Sequence, residues 1–191
     1  ERFDQIYHEH VSYFTVKSAK YVLEKSGMTI FKVELTDYHG GSIRVYSSIN
    51  PTIIDESIND HIKKEETLGL YDQLFYKKYM DKIIKSRSKF LVELNKIILS
   101  KTPIVCVGAA AKGNTLLNFY GLDKTIIDYV TDSSTHKIGK FTPLTRIPIL
   151  SDEEVFSNYD KVYAIILSWN ISKILKKKLL KINSKIKFIN F

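Results

Sequence analysis

The densest chemistry in the sequence is Tyr7-His8-Glu9-His10. An imidazole with an ordinary pKa of about 6.5 can accept a proton at neutral pH. A neighbouring carboxylate can fix its tautomer and stabilise the imidazolium. In an extended segment alternate residues face one way, so His8 and His10 share a side, as a metal pair or with one of them a general base. Glu9 then points away unless a turn redirects it. A metal site needs three or more convergent ligands; His39 is the remaining candidate, and the sequence does not place it, so no metal is expected here. The plain alternative is a polar aromatic loop tied by hydrogen bonds.

The second feature is Gly108-Ala-Ala-Ala-Lys-Gly113-Asn-Thr115, set where a strand becomes a helix. Free N–H groups and the helix dipole make such a place suitable for an anion. The dinucleotide fingerprint G-x-G-x-x-G needs glycine at 110, where Ala110 stands, and an acid ~20 residues on, for which Asp128 or Asp132 could serve. The Walker pattern needs lysine at 114, where Asn114 stands, so an ATPase is excluded. The alternative is a tight turn with small residues for packing. In parallel α/β sheets ligands sit beyond the carboxyl ends of the strands. Lys112, Asn114, Asp132, Ser168, Trp169 and Asn170 all fall at such ends.

The elements that must position these residues form three zones. Residues 1–50 hold the histidine loop, a helix over about 15–26 stopped by Gly27, and two strands, 28–35 and 42–47, joined at Asp37–Gly41. About 50 residues cannot bury much core, so this zone reads as the tail of a larger sheet. Residues 51–100 read as helical, with an apolar stripe through Leu74, Phe75, Ile83, Ile84, Phe90, Leu91, Leu94, Ile97 and Ile98. Residues 101–191 alternate strands, expected at 104–107, 125–130, 146–150, 162–167 and 186–191, with helices. Wholly apolar strands separated by helices imply an α/β fold, a Rossmann-like parallel sheet covered on both faces.

The formal charge is +8, from 29 Lys and Arg against 21 acids, which raises the question of nucleic acid. Much of the excess is Lys173, Lys176, Lys177, Lys178, Lys181, Lys185 and Lys187, interleaved with Ile174, Leu175, Leu179 and Ile182 at helical spacing. That is a surface helix with a solvated lysine face, and arginine, suited to planar recognition, is scarce. Neither nucleic acid nor membrane is the expected partner, though the charge can steer an anionic substrate. One cysteine excludes a disulfide framework or a cysteine zinc cage in this chain. No apolar run approaches a membrane span, no signal peptide is read at the start, and the first residue, Glu1, points to a piece of a longer protein.

Three separated motifs then resemble, in order, the S-adenosylmethionine-dependent sugar C-methyltransferases. They are Phe3–His10 with Ser12-Tyr-Phe14; His39-Gly-Gly-Ser-Ile-Arg-Val-Tyr46; and Gly108–Asn118. Asp132, Lys137, Gly139, Lys140, Pro143 and Ile147-Pro-Ile149 extend the match, and Ser168-Trp-Asn170 looks like its closing motif.

The resemblance implies a three-part enzyme: a zinc-bearing N-terminal module, a central S-adenosylmethionine-binding module, and a C-terminal Rossmann-like module that anchors a nucleotide-linked sugar. Residues 1–50 would be the end of the central module, 51–100 a helical linker and 101–191 the C-terminal module. The zinc cysteines and the main cofactor loop are absent, so this chain alone is expected to be incomplete and inactive. The implied reaction is methyl transfer to a carbon beside the ketone of a nucleotide-linked keto-deoxysugar, in the cytoplasm. His10 is the implied base, Glu9 tunes it, Tyr7 lies near the sugar oxygens, and His8 is a weaker candidate. His39 and Arg44 belong to the hairpin motif and would shape the site. Lys112, Gly113, Asn114, Asp132, Trp169 and Asn170 are the candidates for contacts to the nucleotide sugar. Sugar, carbon, nucleotide and oligomeric state stay open. The competing readings are a non-catalytic nucleotide or nucleotide-sugar binding module and a Rossmann-type NAD-binding domain.

Overall fold

The structure is a computed structural model that describes residues 3–38 and 41–190. Two compact units emerge, one of residues 11–82 and one that joins the first ten residues to 83–191. The boundary falls inside one long helix.

In the smaller unit, Thr15 starts α1 (Val16–Lys25) with a reciprocal cap. Its hydroxyl accepts the Ser18 N–H at 3.1 Å, and the Ser18 hydroxyl accepts the Thr15 N–H at 2.9 Å. β1 (Thr29–Thr36) and β2 (Ser42–Ser48) pair antiparallel, with Val33 opposite Val45. Their inner residues meet α1 and α2 (Ser57–Thr67) in a small core of Val16, Ile30, Val33 and Ile58. Glu65 accepts the Val16 N–H at 2.6 Å, which satisfies one of the donors that a helix start leaves unpaired.

α3 (Gln73–Leu99) runs on into the larger unit. Of its apolar stripe, Ile83, Phe90 and Leu94 are buried, whereas Leu74, Ile84 and Ile98 are exposed. The larger unit is a five-stranded parallel sheet in the order β5-β4-β3-β6-β7. The strands are β3 (Ile104–Val107), β4 (Tyr129–Thr131), β5 (Ile149–Leu150), β6 (Val162–Ile166) and β7 (Ile186–Ile189). α4 (Ala111–Tyr120) follows β3 and ends at Gly121 in the left-handed region, φ 70°. α5 (Asp152–Phe156) and α6 (Ser172–Ile182) complete the crossovers.

One face of the sheet packs Phe90, Leu94, Leu116, Leu117 and Tyr120 over Cys106 and Ile165. The other packs Val155, Phe156 and Leu179 over Val105, Val107 and Ala164. The expected α/β architecture with a covered parallel sheet is therefore present. Its strand order reverses between β3 and β6, whose ends carry Gly108 and Ser168.

Two strands are reduced to two or three residues where the sequence predicts five or six. The 125–130 segment is a turn up to Asp128, because the Asp123 carboxylate takes the Thr125 N–H at 2.8 Å and the Asp123 carbonyl takes the Ile127 N–H. The 146–150 segment is extended only at 149–150; Arg146 sits at φ 55° and the Ile147 N–H bonds the Thr142 hydroxyl. The lysine helix pairs locally: Lys178 with Asp152, Lys176 with Asn190. Among the described residues no helix is long and apolar enough to cross a membrane.

Candidate functional site

β3 delivers the chain to Gly108, whose φ of +98° suits glycine. A Cβ there would stand 2.2 Å from the Ser168 hydroxyl oxygen. Ala110 occupies the N-cap of α4 in an extended conformation. Its methyl has no oxygen to offer, so the first-turn N–H groups receive no side-chain cap from it. Gly113 is buried in the first turn; a Cβ there would lie 2.9 Å from that of Leu167 and 3.1 Å from the Gly108 carbonyl. Its role in the structure is close helix–strand packing rather than surface presentation.

The N-terminal segment is not extended. Phe3–Gln5 form a 3-10 turn, and the His10 N–H donates to the Tyr7 carbonyl at 2.9 Å, closing a tight turn over 7–10. The face-sharing of His8 and His10 expected from alternation is thereby replaced. Glu9 lies 4.0 Å from His8 Nε2, with both side chains largely in solvent. The His10 ring packs against Tyr7, centroids 4.2 Å apart. His10 Nδ1 lies 2.7 Å from the Gln5 carbonyl oxygen. A carbonyl only accepts, so Nδ1 carries the proton, and in the neutral ring Nε2 is the basic nitrogen. Among the described residues no group of three or more His, Cys, Asp or Glu could hold a metal.

Tyr7, His8 and Glu9 stand on one side of a cleft of about 430 Å³. Ala109–Ala111 and Asn114 and Thr115 of the first turns of α4 form its second wall. Leu117, Val130, Ile149 and Leu167 give it an apolar floor. Its far rim is the segment His136, Lys137, Lys140, Phe141 and Thr142. A mostly apolar concavity with a few convergent polar groups is the usual form of a small-molecule site. The Asn114 side-chain oxygen is buried without a hydrogen-bond partner.

The other predicted residues divide. Lys112 turns from this cleft: its ammonium donates to Asn170 at 2.7 Å and lies 5.0 Å from the centre of the Trp169 ring. The Trp169 indole N–H donates to the buried Asp4 carboxylate at 2.5 Å. These four side chains thus tie the N-terminal segment to the end of β6.

Asp132 holds the glycine loop, accepting the Ala109 N–H at 2.8 Å, the Ser134 N–H at 2.9 Å and the Lys137 ammonium at 3.1 Å. Burial alone would raise its pKa; the bonds from Ser134, Lys137 and Ala109 outweigh it and hold the carboxyl below its usual range. Asp128 is occupied too, accepting the Ile104 N–H at 3.0 Å. Arg44 belongs to the smaller unit, where it lies 3.8 Å from Glu34 across the hairpin. His39 lies outside the described residues.

The sequence reading gave no role to His136, Phe141 or Asp4. The first two lie in an irregular loop without periodicity, signalled only by the nearby lysines. Asp4 shows itself only by its distant partner.

A family described as the C-methyltransferase C-terminal domain matches residues 37–190. The chain belongs to that family. The resemblance carried by the three sequence motifs is thus borne out at the level of the C-methyltransferase C-terminal part. The C-methyltransferase NovU of Streptomyces niveus is 30% identical over 173 residues, which cover 88% of this chain. The chain spans 40% of the length of that curated relative. Asn114, Lys137 and Lys140 of the cleft fall within the region matched to the C-methyltransferase C-terminal domain; Tyr7–His10 lie before it.

Proposed function

We propose that this chain is the portion of a C-methyltransferase that holds a nucleotide-linked keto-deoxysugar and supplies the base that activates its carbon. The observation that carries the reading is one cleft bordered by Tyr7, the first turns of α4 and a lysine-bearing loop. The uncapped start of α4, with Lys140 opposite, suits the diphosphate. Asn114 offers a buried amide oxygen to a sugar or base donor. His10 does not itself line the cleft; its ring packs against Tyr7, which does, and the Gln5 carbonyl fixes it as the Nδ1–H tautomer.

In this reading His10 Nε2 takes the proton from the carbon beside the ketone. The C–H electron pair passes into the enolate, and the ring becomes imidazolium. The carbon is then the nucleophile for methylation. S-adenosylmethionine, the donor implied by the family resemblance, supplies an electrophilic methyl group. In this reading the residues of this chain hold the substrate and move the proton. Residues 1–50 are read as the end of the cofactor-binding module, and the cytoplasm, where such sugars are made, as the location.

Proton removal can be tested without a methyl donor. The chain is mixed in D2O with a thymidine-diphosphate keto-deoxysugar, and exchange of the proton beside the ketone is followed by NMR. The expected result is binding with exchange, and a loss of exchange of about 10²–10⁴-fold in His10→Gln with affinity retained. Binding with equal exchange in both proteins supports the non-catalytic binding module instead. Absence of binding removes the cleft reading altogether.

A further inference from the structure

A second, smaller cavity of about 280 Å³ opens where the strand order reverses, between the ends of β3 and β6. It shares Ala110 and Lys137 with the larger cleft but is otherwise separately lined, by Gly108, Thr131, Asp132, Asp152, Ser168 and Lys178 among others. Two of its lining residues carry a buried polar atom with no hydrogen-bond partner. Thr131 has no solvent exposure and its hydroxyl lacks a hydrogen-bond partner. Asp152 is 3% exposed; its Oδ2 takes the Lys178 ammonium at 2.8 Å while its Oδ1 is unpartnered. Leaving such groups unpaired carries the desolvation penalty of each without return. A single water, whose share of liquid volume is about 30 Å³, fills only a small part of the space.

The charges say what class of ligand belongs there. Lys137 is paired with Asp132 and Lys178 with Asp152, so the formal charges of the lining cancel. An anion is not selected. The Asp152 oxygen needs a donor, and the Thr131 hydroxyl can donate or accept. Two adjacent hydroxyls meet both needs, and carboxylate–diol pairing is how sheets of this type hold ribose at the same crevice. We propose that this cavity is a second binding site for a neutral ring bearing a vicinal diol, either the ribose of a nucleoside or a free sugar ring. The site is independent of the sugar-nucleotide reading of the larger cleft.

The test is calorimetric titration and thermal shift of the chain with adenosine, 2′-deoxyadenosine and methyl β-glucoside. At least one diol is expected to bind and to raise Tm. A stronger response to adenosine identifies the nucleoside as the source, and a stronger one to the glucoside identifies the sugar ring. Thr131→Val is expected to weaken the diol about tenfold or more, with an unliganded Tm at or above that of the wild type. Asp152→Asn is expected to abolish binding, because Lys178 keeps the amide oxygen and turns the NH2 toward the cavity. Asn114→Ala, in the larger cleft, is expected to leave the diol affinity unchanged. Three results overturn the proposal: equal affinity for adenosine and 2′-deoxyadenosine as the sole response, wild-type diol affinity in Thr131→Val, or loss of it in Asn114→Ala. Failure of every diol to bind also overturns it and leaves ordered water as the partner of Thr131 and Asp152.

Discussion

Replacing Trp169 by Phe removes one N–H and keeps an aromatic ring beside Lys112. The cost follows from where the partner sits. Asp4 is 4% exposed, so its carboxylate cannot recover the lost bond from bulk water. A hydrogen bond to a charged group contributes about 1.5–3 kcal/mol, and the group left behind sets the penalty. Trp169→Phe is therefore expected to destabilise by about 1.5–3 kcal/mol, a Tm fall of roughly 3–12 °C for a chain of this size. The reverse truncation is milder. Asp4→Ala leaves an indole N–H on a half-buried Trp169, within reach of water. The double variant Asp4→Ala/Trp169→Phe should then be more stable than Trp169→Phe alone. The assay is urea denaturation followed by circular dichroism, because Trp169 is the sole tryptophan and its fluorescence is lost in the variant. Amide exchange over residues 3–10 should rise in Trp169→Phe, since this bond holds that segment. A change under about 0.5 kcal/mol in Trp169→Phe, or a double variant no more stable than the single, refutes the reasoning.

Gly108→Ala combines a positive φ with a Cβ 2.2 Å from the Ser168 oxygen, and should cost at least about 2 kcal/mol in chemical denaturation; Ser168→Gly should recover only the steric share. Asp132 has a folded pKa below its unfolded one, so the unfolded chain binds the proton first and stability falls with pH. Its contribution is full above the unfolded value of about 3.9 and is lost as pH falls through the lower folded value. The stability gap between wild type and Asp132→Asn should hold from pH 7 to about 5 and close in acid; a gap that widens in acid contradicts this. Cys106 is fully buried, and burial pushes its thiol well above the ordinary range. Its reaction with a disulfide reagent should track unfolding, and rapid native-state labelling would contradict that.

The sheet was legible because its central strands carry the signal of burial on both faces: Ile104–Val107 is apolar throughout and entirely buried. Strand ends were less legible where side chains compete with the ladder. Ile126 and Ile127 look like strand, and Ile127 is fully buried, yet Asp123 folds them into a turn and Asp128 is spent on the Ile104 N–H. The glycine loop was legible as a strand-to-helix turn. The direction of Lys112 was not, because it depends on Asn170 and Trp169 from a different crossover. The histidine segment misled for a local reason. Alternation presupposes an extended backbone, and the His10 N–H closes on the Tyr7 carbonyl instead. Lys137 and Lys140 were visible as motif residues, but their place opposite α4 required the path from Ser134 to Ile149, which holds no periodic pattern.

The reversal of strand order would ordinarily put a dinucleotide over the glycine loop, and the local hydrogen bonds argue against that here. In such a loop the backbone after the first glycine faces the pyrophosphate, and the acid after the second strand faces the ribose. In this chain the two groups face each other: the Ala109 N–H donates to Asp132, and Lys137 neutralises the same carboxylate. Ala110 adds a methyl where the fingerprint requires none. The packing glycine, Gly113, is retained because Leu167 lies against it. The loop has thus kept the geometry that docks α4 on the sheet and spent internally the donors and the acid that would read a dinucleotide. What stays open is the flank of α4 with Asn114 and Thr115, facing Tyr7 and the lysine loop, and a small charge-balanced cavity at the reversal itself. Under the proposed function, an anionic ligand would lie beside the helix rather than across the strand ends, on the side of the cleft that Tyr7, His8 and Glu9 border.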